Sequence, residues 1–192
     1  GGLTEGFGII DDFLSNNAND WKIDNVNNGT AVLDVAAKGG VLLLDSASTT
    51  QHDGAQIQLG GAGAASSFVP NANATIYYEA RIKLADIGST TVHAFLGLSE
   101  VDATTIHAGA NSSANHIGFE AINTTAMGFH SEKATVRGTT AAVHTVVDDD
   151  YVKLGFVVEG LTKVTPYVNG VAKDSLATAN IPILPMTPTF VC

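Results

Sequence analysis

Apolar and polar residues alternate with a period of two along most of this chain, and no helical stripe competes with that pattern. In Ile76-Tyr77-Tyr78-Glu79-Ala80-Arg81-Ile82-Lys83-Leu84, the residues Ile76, Tyr78, Ala80, Ile82 and Leu84 share one side. Tyr77, Glu79, Arg81 and Lys83 share the other. A pleated strand with one dry and one wet face requires this order, because successive side chains point to opposite sides. The same spacing recurs at Val92-Ala94-Leu96-Leu98, at Ile117-Phe119-Ala121 and at Val152-Leu154-Phe156-Val158. Val41 to Leu44 is a short unbroken apolar run, the pattern of a strand covered on both faces.

Turn residues divide these runs at short intervals. Asn169-Gly170 separates Thr165–Val168 from Val171–Lys173 and predicts a tight hairpin, since Asn and Gly tolerate the positive φ of a type I′ turn. Glu159-Gly160 joins the strand at Tyr151–Val158 to one at Lys163–Val168. Asp53-Gly54 precedes Ala55–Leu59, and Gly60–Gly63 and Asn71–Asn73 read as loops. Pro182, Pro185 and Pro188 break the tail into short extended pieces. Ten or more strands with frequent turns and no helix predict an all-β, antiparallel β-sandwich. No linker divides it, so residues 11–192 are expected to form the sandwich and residues 1–10 an extended N-terminal arm. The chain opens at Gly1-Gly2-Leu3-Thr4 and stops at Thr189-Phe190-Val191-Cys192, in what reads as the start of a strand. A fragment lacking a final strand, or a product of cleavage before Gly1, is therefore expected.

Composition narrows the function classes. Lys and Arg number 9 against 19 Asp and Glu, a net charge of −10. That sign repels phosphate, so neither nucleic acid nor an anionic membrane face is an expected partner. Charged residues make up only 15% of the chain, below the roughly 25% of average soluble proteins. Small neutral residues replace them, which suits lasting contact with protein or sugar. No apolar run reaches the length of a membrane span. Cys192 is the single cysteine, so neither an internal disulfide nor a cysteine-only zinc site can form.

The order Phe68-x-Pro70 followed by Ile76–Leu84, then Phe95–Leu98, Ile117–Phe119, and the hairpins Tyr151–Gly160 and Val164–Gly170 resembles the concanavalin A-like or laminin-G-like jelly roll. The likeness runs in order from about Asp11 to Phe190. Low charge, abundant Ala, Gly, Thr and Asn, and the start Asp11-Asp12-Phe13-Leu14 followed by Trp21 also resemble the decoration (cement) proteins of tailed-bacteriophage capsids. That second resemblance implies a non-catalytic structural protein on the outer surface of a virion. Its partners would be the major capsid protein and copies of itself, in a homotrimer. The alternative on the same fold is a lectin-like carbohydrate-binding module, extracellular and with calcium as a candidate ligand, whose partner is a glycan.

Catalytic chemistry finds little support in the motifs. Glycoside hydrolases on this sandwich resemble one another in a strand carrying E-x-D-x-E or E-x-D-x-x-E, which sets two carboxylates on one face. No such pair occurs. Glu79 stands beside Arg81, and Glu120 and Glu132 have no acidic neighbour at that spacing, so all three are expected to be outward-facing and solvated. The six histidines, His52, His93, His107, His116, His130 and His144, form none of the short metal-binding spacings. His93 and His116 fall on the faces expected to be wet. Asp148-Asp149-Asp150 lacks the alternation of a calcium loop and reads as a solvated turn, which Asp45 and Asp53 could join only through the fold. There is no G-x-S-x-G, Cys192 has no neighbouring base, and Gly60-Gly61-Ala62-Gly63 lacks the Lys-Ser/Thr of a phosphate loop. Four sequons start at Asn28, Asn73, Asn111 and Asn123, where roughly two would arise by chance in this composition, and they say little without a secretory context. No catalytic, cofactor-binding or metal-ligating residue is assigned, and no cofactor is expected.

Sugar recognition calls for aromatic platforms, and Trp21, Tyr77, Tyr151 and Tyr167 are the candidates. Tyr78 and the phenylalanines are expected in the core. Leu3, Phe7, Ile9 and Ile10 form an apolar set among glycines, suited to docking on this sandwich or on a neighbouring subunit.

Overall fold

The computed structural model describes residues 8–15, 19–34, 36–37, 39–46, 54–60, 68–86, 92–102, 113–177 and 180–192. In chain order the strands are β1 (Trp21–Val26), β2 (Thr30–Leu33), β3 (Leu42–Asp45), β4 (Gly54–Leu59), β5 (Thr75–Lys83), β6 (His93–Ser99), β7 (His116–Ile122) and β8 (Ala126–Lys133). They continue with β9 (Val136–Thr139), β10 (His144–Thr145), β11 (Tyr151–Glu159), β12 (Lys163–Val168), β13 (Val171–Ala172), β14 (Leu176–Ala177) and β15 (Thr187–Val191). Among the described residues there is no α-helix, and none long and apolar enough to cross a membrane.

An eight-stranded sheet runs β1-β4-β15-β6-β7-β8-β10, with β9 also on β8. A five-stranded sheet runs β13-β12-β11-β5, with β14 also on β12, and β2-β3 forms a two-stranded sheet. All registered pairs are antiparallel, including the nine-residue β5/β11 ladder from Thr75↔Glu159 to Lys83↔Tyr151. This is the antiparallel jelly-roll sandwich expected from the alternation.

The period-two pattern sets where the core lies. Leu96, Leu98, Ile117, Phe119, Met127 and Phe129 from the large sheet meet Ile76, Val152, Leu154, Phe156, Val158 and Val164 from the smaller one. At the centre Phe119, Phe129 and Phe156 have ring centroids 4.9 to 6.4 Å apart. Tyr78 stacks on Phe156 at 4.9 Å, as the sequence implied. Burial raises the Tyr78 phenol well above its usual range. A second, smaller core of Trp21, Ala31, Ala55 and Ile57 is covered by Phe13, Leu42, Leu44 and Phe190.

Three local expectations have outcomes here. Asn169 and Gly170 both adopt positive φ, 50° and 79°, as the hairpin requires. The run Val41–Leu44 is not covered on both faces. It pairs only with β2, and Leu43 is 48% exposed, because a two-stranded sheet has a second layer on one side only. The tail is less broken than its prolines suggested. Thr187–Val191 lies inside the large sheet, pairing with β6 along its whole length but with β4 only from Thr189 to Val191. Pro188 thus falls beyond the β4 ladder, where its missing N–H removes no bond.

Candidate functional site

The face of the large sheet turned away from the core is polar, yet much of it is dry. Gln56, Gln58, Ser99, His116, Thr187 and Thr189 are fully buried there, with Glu120 and Glu132 nearly so. Cross-strand register arranges these residues in rows. One row is Thr187, Ser99, His116, Glu132 and Arg137, contributed by β15, β6, β7, β8 and β9. The next is Gln58, Thr189, Gly97, Gly118, His130 and Thr139. A third is Gln56, Val191, Phe95, Glu120 and Gly128. Glycines clear the floor of these rows. A side chain at Gly118 would run into the Leu96 carbonyl and lie 2.8 Å from the Phe95 ring. Gly in a strand interior marks this kind of close approach.

At the β7–β9 end the rows converge on one guanidinium. Arg137 donates from Nη1 to Glu120 Oε2 and from Nε to Glu132 Oε2, both at 2.6 Å. His93 Nε2 donates to Glu120 Oε1 at 2.9 Å, and His130 Nε2 lies 3.5 Å from Glu120 Oε2. His116 Nδ1 faces the Ser113 carbonyl at 2.9 Å and must carry the proton, since a carbonyl only accepts. Its bare Nε2 then faces Arg137 Nη2 at 3.4 Å.

Burial and charge agree with these roles. Burial pushes the His116 imidazole down, against smaller upward pulls from the Ser113 carbonyl and Glu132. Burial likewise pushes His130 down to about 4, with Glu120 opposing it and Arg137 assisting. Burial alone would lower Arg137, but its bonds to Glu132 and Glu120 prevail and raise it. The network thus sets two carboxylates around one guanidinium. His93 Nδ1 is buried and has no hydrogen-bond partner among the described residues. A buried polar atom left in that position costs about 1–3 kcal/mol unless water or a ligand reaches it.

The other half of the face is closed by the segment Glu100–Asp102. Gln58 Nε2 lies within 2.9 to 3.2 Å of Glu100 O, Thr189 Oγ1 and Ser99 Oγ, and Gln58 Oε1 accepts from Asp102 N at 3.0 Å. Gln56 donates to the Asp102 carbonyl. Glu100 is held in turn by Asn115, N to O at 3.1 Å and carboxylate to N–H at 3.1 Å.

These contacts correct two expectations. Glu120 and Glu132 are not solvated outward acids, and His116 is not on a wet face. Their sheet face is covered, and the strand order brings three adjacent strands into one ion-pair network. Glu79 does behave as expected, in an exposed pair with Lys153. Asp148–Asp150 is an exposed turn in which Asp149 pairs with Lys83 at 3.0 Å. His52, Asp53 and His107 lie outside the described residues, as do Leu3 and Phe7. Among the described residues no three His, Cys, Asp or Glu side chains could hold a metal ion. Of the aromatic candidates, Trp21 is buried and donates its indole N–H to Asp11 at 2.5 Å. Tyr77, Tyr151 and Tyr167 lie on the outer face of the five-stranded sheet, away from the network, with Arg81 4.2 Å over the Tyr151 ring. Ile9 and Ile10 are exposed.

No family model and no curated protein sequence matches this chain. Solved structures do. The chain is similar to a β-glucanase of Bacillus licheniformis, with TM-score 0.61 and 16% identity, covering 94% of this chain and 81% of that one. It is similar to a glycoside hydrolase family 16 endo-glucanase from Bacteroides ovatus, with TM-score 0.59 and 12% identity over 94% and 84% of the two chains. It is also similar to the carbohydrate-binding module CBM66 from Bacillus subtilis, with TM-score 0.52 and 13% identity over 90% and 86%. The fold is the concanavalin A-like jelly roll, an architecture compatible with both enzymes and binding modules.

Proposed function

We propose that this protein is a carbohydrate-binding module whose ligand meets the network of Glu120, Arg137 and Glu132 at Arg137, its most exposed member, with His93 and His130 beside it. The observation that carries this reading is a dense set of fixed donors and acceptors on the sheet face opposite the core. Hydroxyl groups of a sugar match such a set, because each can donate to a carboxylate and accept from a guanidinium or imidazole. The unpartnered His93 Nδ1 is a polar atom that a ligand hydroxyl, able to donate or accept, would satisfy. The similar structures named above, glucanases and a carbohydrate-binding module, support the same class. A net negative site on a chain of charge −10 favours neutral glycans over uronic acids.

Hydrolysis fits the residues less well. A glycosidase needs one carboxyl group free to protonate the leaving oxygen, and here both candidates grip the same permanent cation. The capsid-decoration reading rests on composition and on exposed Ile9, Ile10 and Leu14; none of the solved structures named above is a virion protein.

The test is affinity electrophoresis against mixed-linkage β-glucan, xylan, mannan, starch and polygalacturonate. Retardation by at least one neutral polymer, lost in E120Q and unaffected by a calcium chelator, is the expected result. Release of reducing ends would move the protein to the enzymes, and no retardation by any polymer would remove the proposal.

A further inference from the structure

We infer that the open edge of the five-stranded sheet, strand β5, pairs with β5 of a second copy of this chain, antiparallel about Ala80. The pairing is independent of the carbohydrate reading and uses no residue of the polar network. Among the described residues, β11 is the one strand paired with β5. Their nine consecutive pairs, Thr75 to Lys83 on β5, leave the opposite edge running straight for about 30 Å. Natural sheets blunt such edges with proline, bulges or very short strands. The other end of this sheet does so, since β13 and β14 have two residues each. Strand β5 has neither a proline nor a bulge.

Backbone bonds fix which residues face that edge. Gly160 N donates to Ala74 O at 3.0 Å, and Asn169 N donates to Lys153 O at 2.8 Å. In an antiparallel ladder hydrogen-bonded and non-hydrogen-bonded pairs alternate. Both bonds give one phase, in which Ile76, Tyr78, Ala80 and Ile82 bond to β11. The N–H and C=O groups of Thr75, Tyr77, Glu79, Arg81 and Lys83 then point to the open edge. Burial agrees. On β11 the core-facing Val152, Leu154, Phe156 and Val158 are all buried, whereas Tyr78, Ala80 and Ile82 on β5 are only half-buried.

Charge selects the occupant. With Ala80 on a two-fold axis, Glu79 opposes Arg81 of the second copy and Tyr77 opposes its Lys83. Symmetry makes each contact twice, an ion pair in the first case and a cation–π contact in the second. On the core side Tyr78 opposes Ile82 of the second copy, adding apolar cover where both are half-exposed. Moving the axis by one residue sets Glu79 against Glu79, or Arg81 against Arg81, at its centre. Charges on an edge ordinarily repel unrelated strands; here their order is self-complementary and rejects other registers. Strand addition of this isologous kind closes at two copies and doubles the five strands of the sheet.

Sedimentation equilibrium from about 1 to 100 μM protein tests the pairing. The wild-type chain should approach twice its mass of 19.8 kDa. Glu79→Arg and Arg81→Glu each place like charges opposite one another and should raise the dimer dissociation constant at least about tenfold. Mixed in equal amounts, the two variants regain both unlike pairs and should form a heterodimer. The double variant E79R/R81E, which also opposes unlike charges, should dimerise alone, with circular dichroism showing that every variant keeps its strands. A wild-type monomer throughout the range, a trimer, or single reversals without effect would each overturn the inference. So would folded variants that stay monomeric both in the mixture and in the double variant.

Discussion

Replacing Arg137 by Met leaves two carboxylates on a covered sheet face without their shared cation. Glu120 has 1% of its side chain exposed and Glu132 11%. At 2.6 Å, each contact is worth about 6 kcal/mol of attraction with an effective dielectric near 20. Desolvation of the ions offsets several kcal/mol per group, so the pair itself adds little net stability. The asymmetry lies in breaking it, which strands buried charge and typically costs about 3–5 kcal/mol. Arg137 keeps 24% of its side chain in water, which places the expected loss near the lower bound, about 3 kcal/mol. Urea unfolding at pH 7 measures it, with K153M as the control: the exposed Glu79–Lys153 pair should change stability by less than about 1 kcal/mol. In the double variant R137M/E120Q one stranded charge is gone, and about 1–3 kcal/mol of the loss should return. A loss in R137M no larger than in K153M, or no recovery with E120Q, would refute a buried network on this face.

Three further outcomes rest on the same sheets. His130 titrates near 4 in the folded protein and near 6.5 unfolded, so the unfolded chain binds the extra proton first. Stability is then lost as pH falls from about 6.5 to 4, by up to about 3 kcal/mol, and H130Q should flatten that part of the urea-midpoint profile relative to wild type. Gly118→Ala forces a methyl group against the Leu96 carbonyl and the Phe95 ring; a loss of about 1–3 kcal/mol is expected from thermal melts, and no loss would mean that the floor is less tightly packed. Phe156→Ala removes the ring shared by Tyr78, Phe119 and Phe129 and should cost about 3–5 kcal/mol in the same melts.

The sandwich was legible because its dry face is written in period two, and the hairpin at Asn169-Gly170 because positive φ restricts the residues that can occupy it. The site was not legible, since alternation separates core from non-core faces without saying whether the non-core face is wet. The residue types held a clue. On β5 the outer face reads Tyr77, Glu79, Arg81, Lys83, mostly long side chains that reach water, whereas on β7 it reads His116, Gly118, Glu120 and on β8 Gly128, His130, Glu132. Short residues beside charged ones on a strand suggest a covered face, because a solvated strand gains nothing from glycine. The motif of two acids on one strand also does not describe Glu120 and Glu132, which are assembled across strands with a sequence separation of 12 positions that carries no fixed spacing. Pairing is what joins them: His116↔Glu132↔Arg137 is one row only once β7, β8 and β9 are in register.

That register has a consequence for separating binding from folding. The apolar core and the polar network occupy opposite faces of the same strands, so neighbouring positions in sequence serve different ends. Phe119 packs on Phe129 at 4.9 Å, while Glu120, one residue on, holds Arg137. A substitution at Phe119 or Phe129 opens a cavity between the sheets and acts on every property through stability. The isosteric E120Q keeps the volume and one acceptor, and removes a charge that folding had to desolvate. Removing Arg137 strands charge, whereas removing Glu120's charge leaves a guanidinium still paired to Glu132 and partly in water. E120Q should therefore cost less stability than R137M while, under the proposed carbohydrate reading, altering the network that meets the glycan more directly. If E120Q instead unfolds the protein as severely as F156A, the polar face is part of the scaffold's own support, and its donors and acceptors are committed to the fold before any ligand arrives.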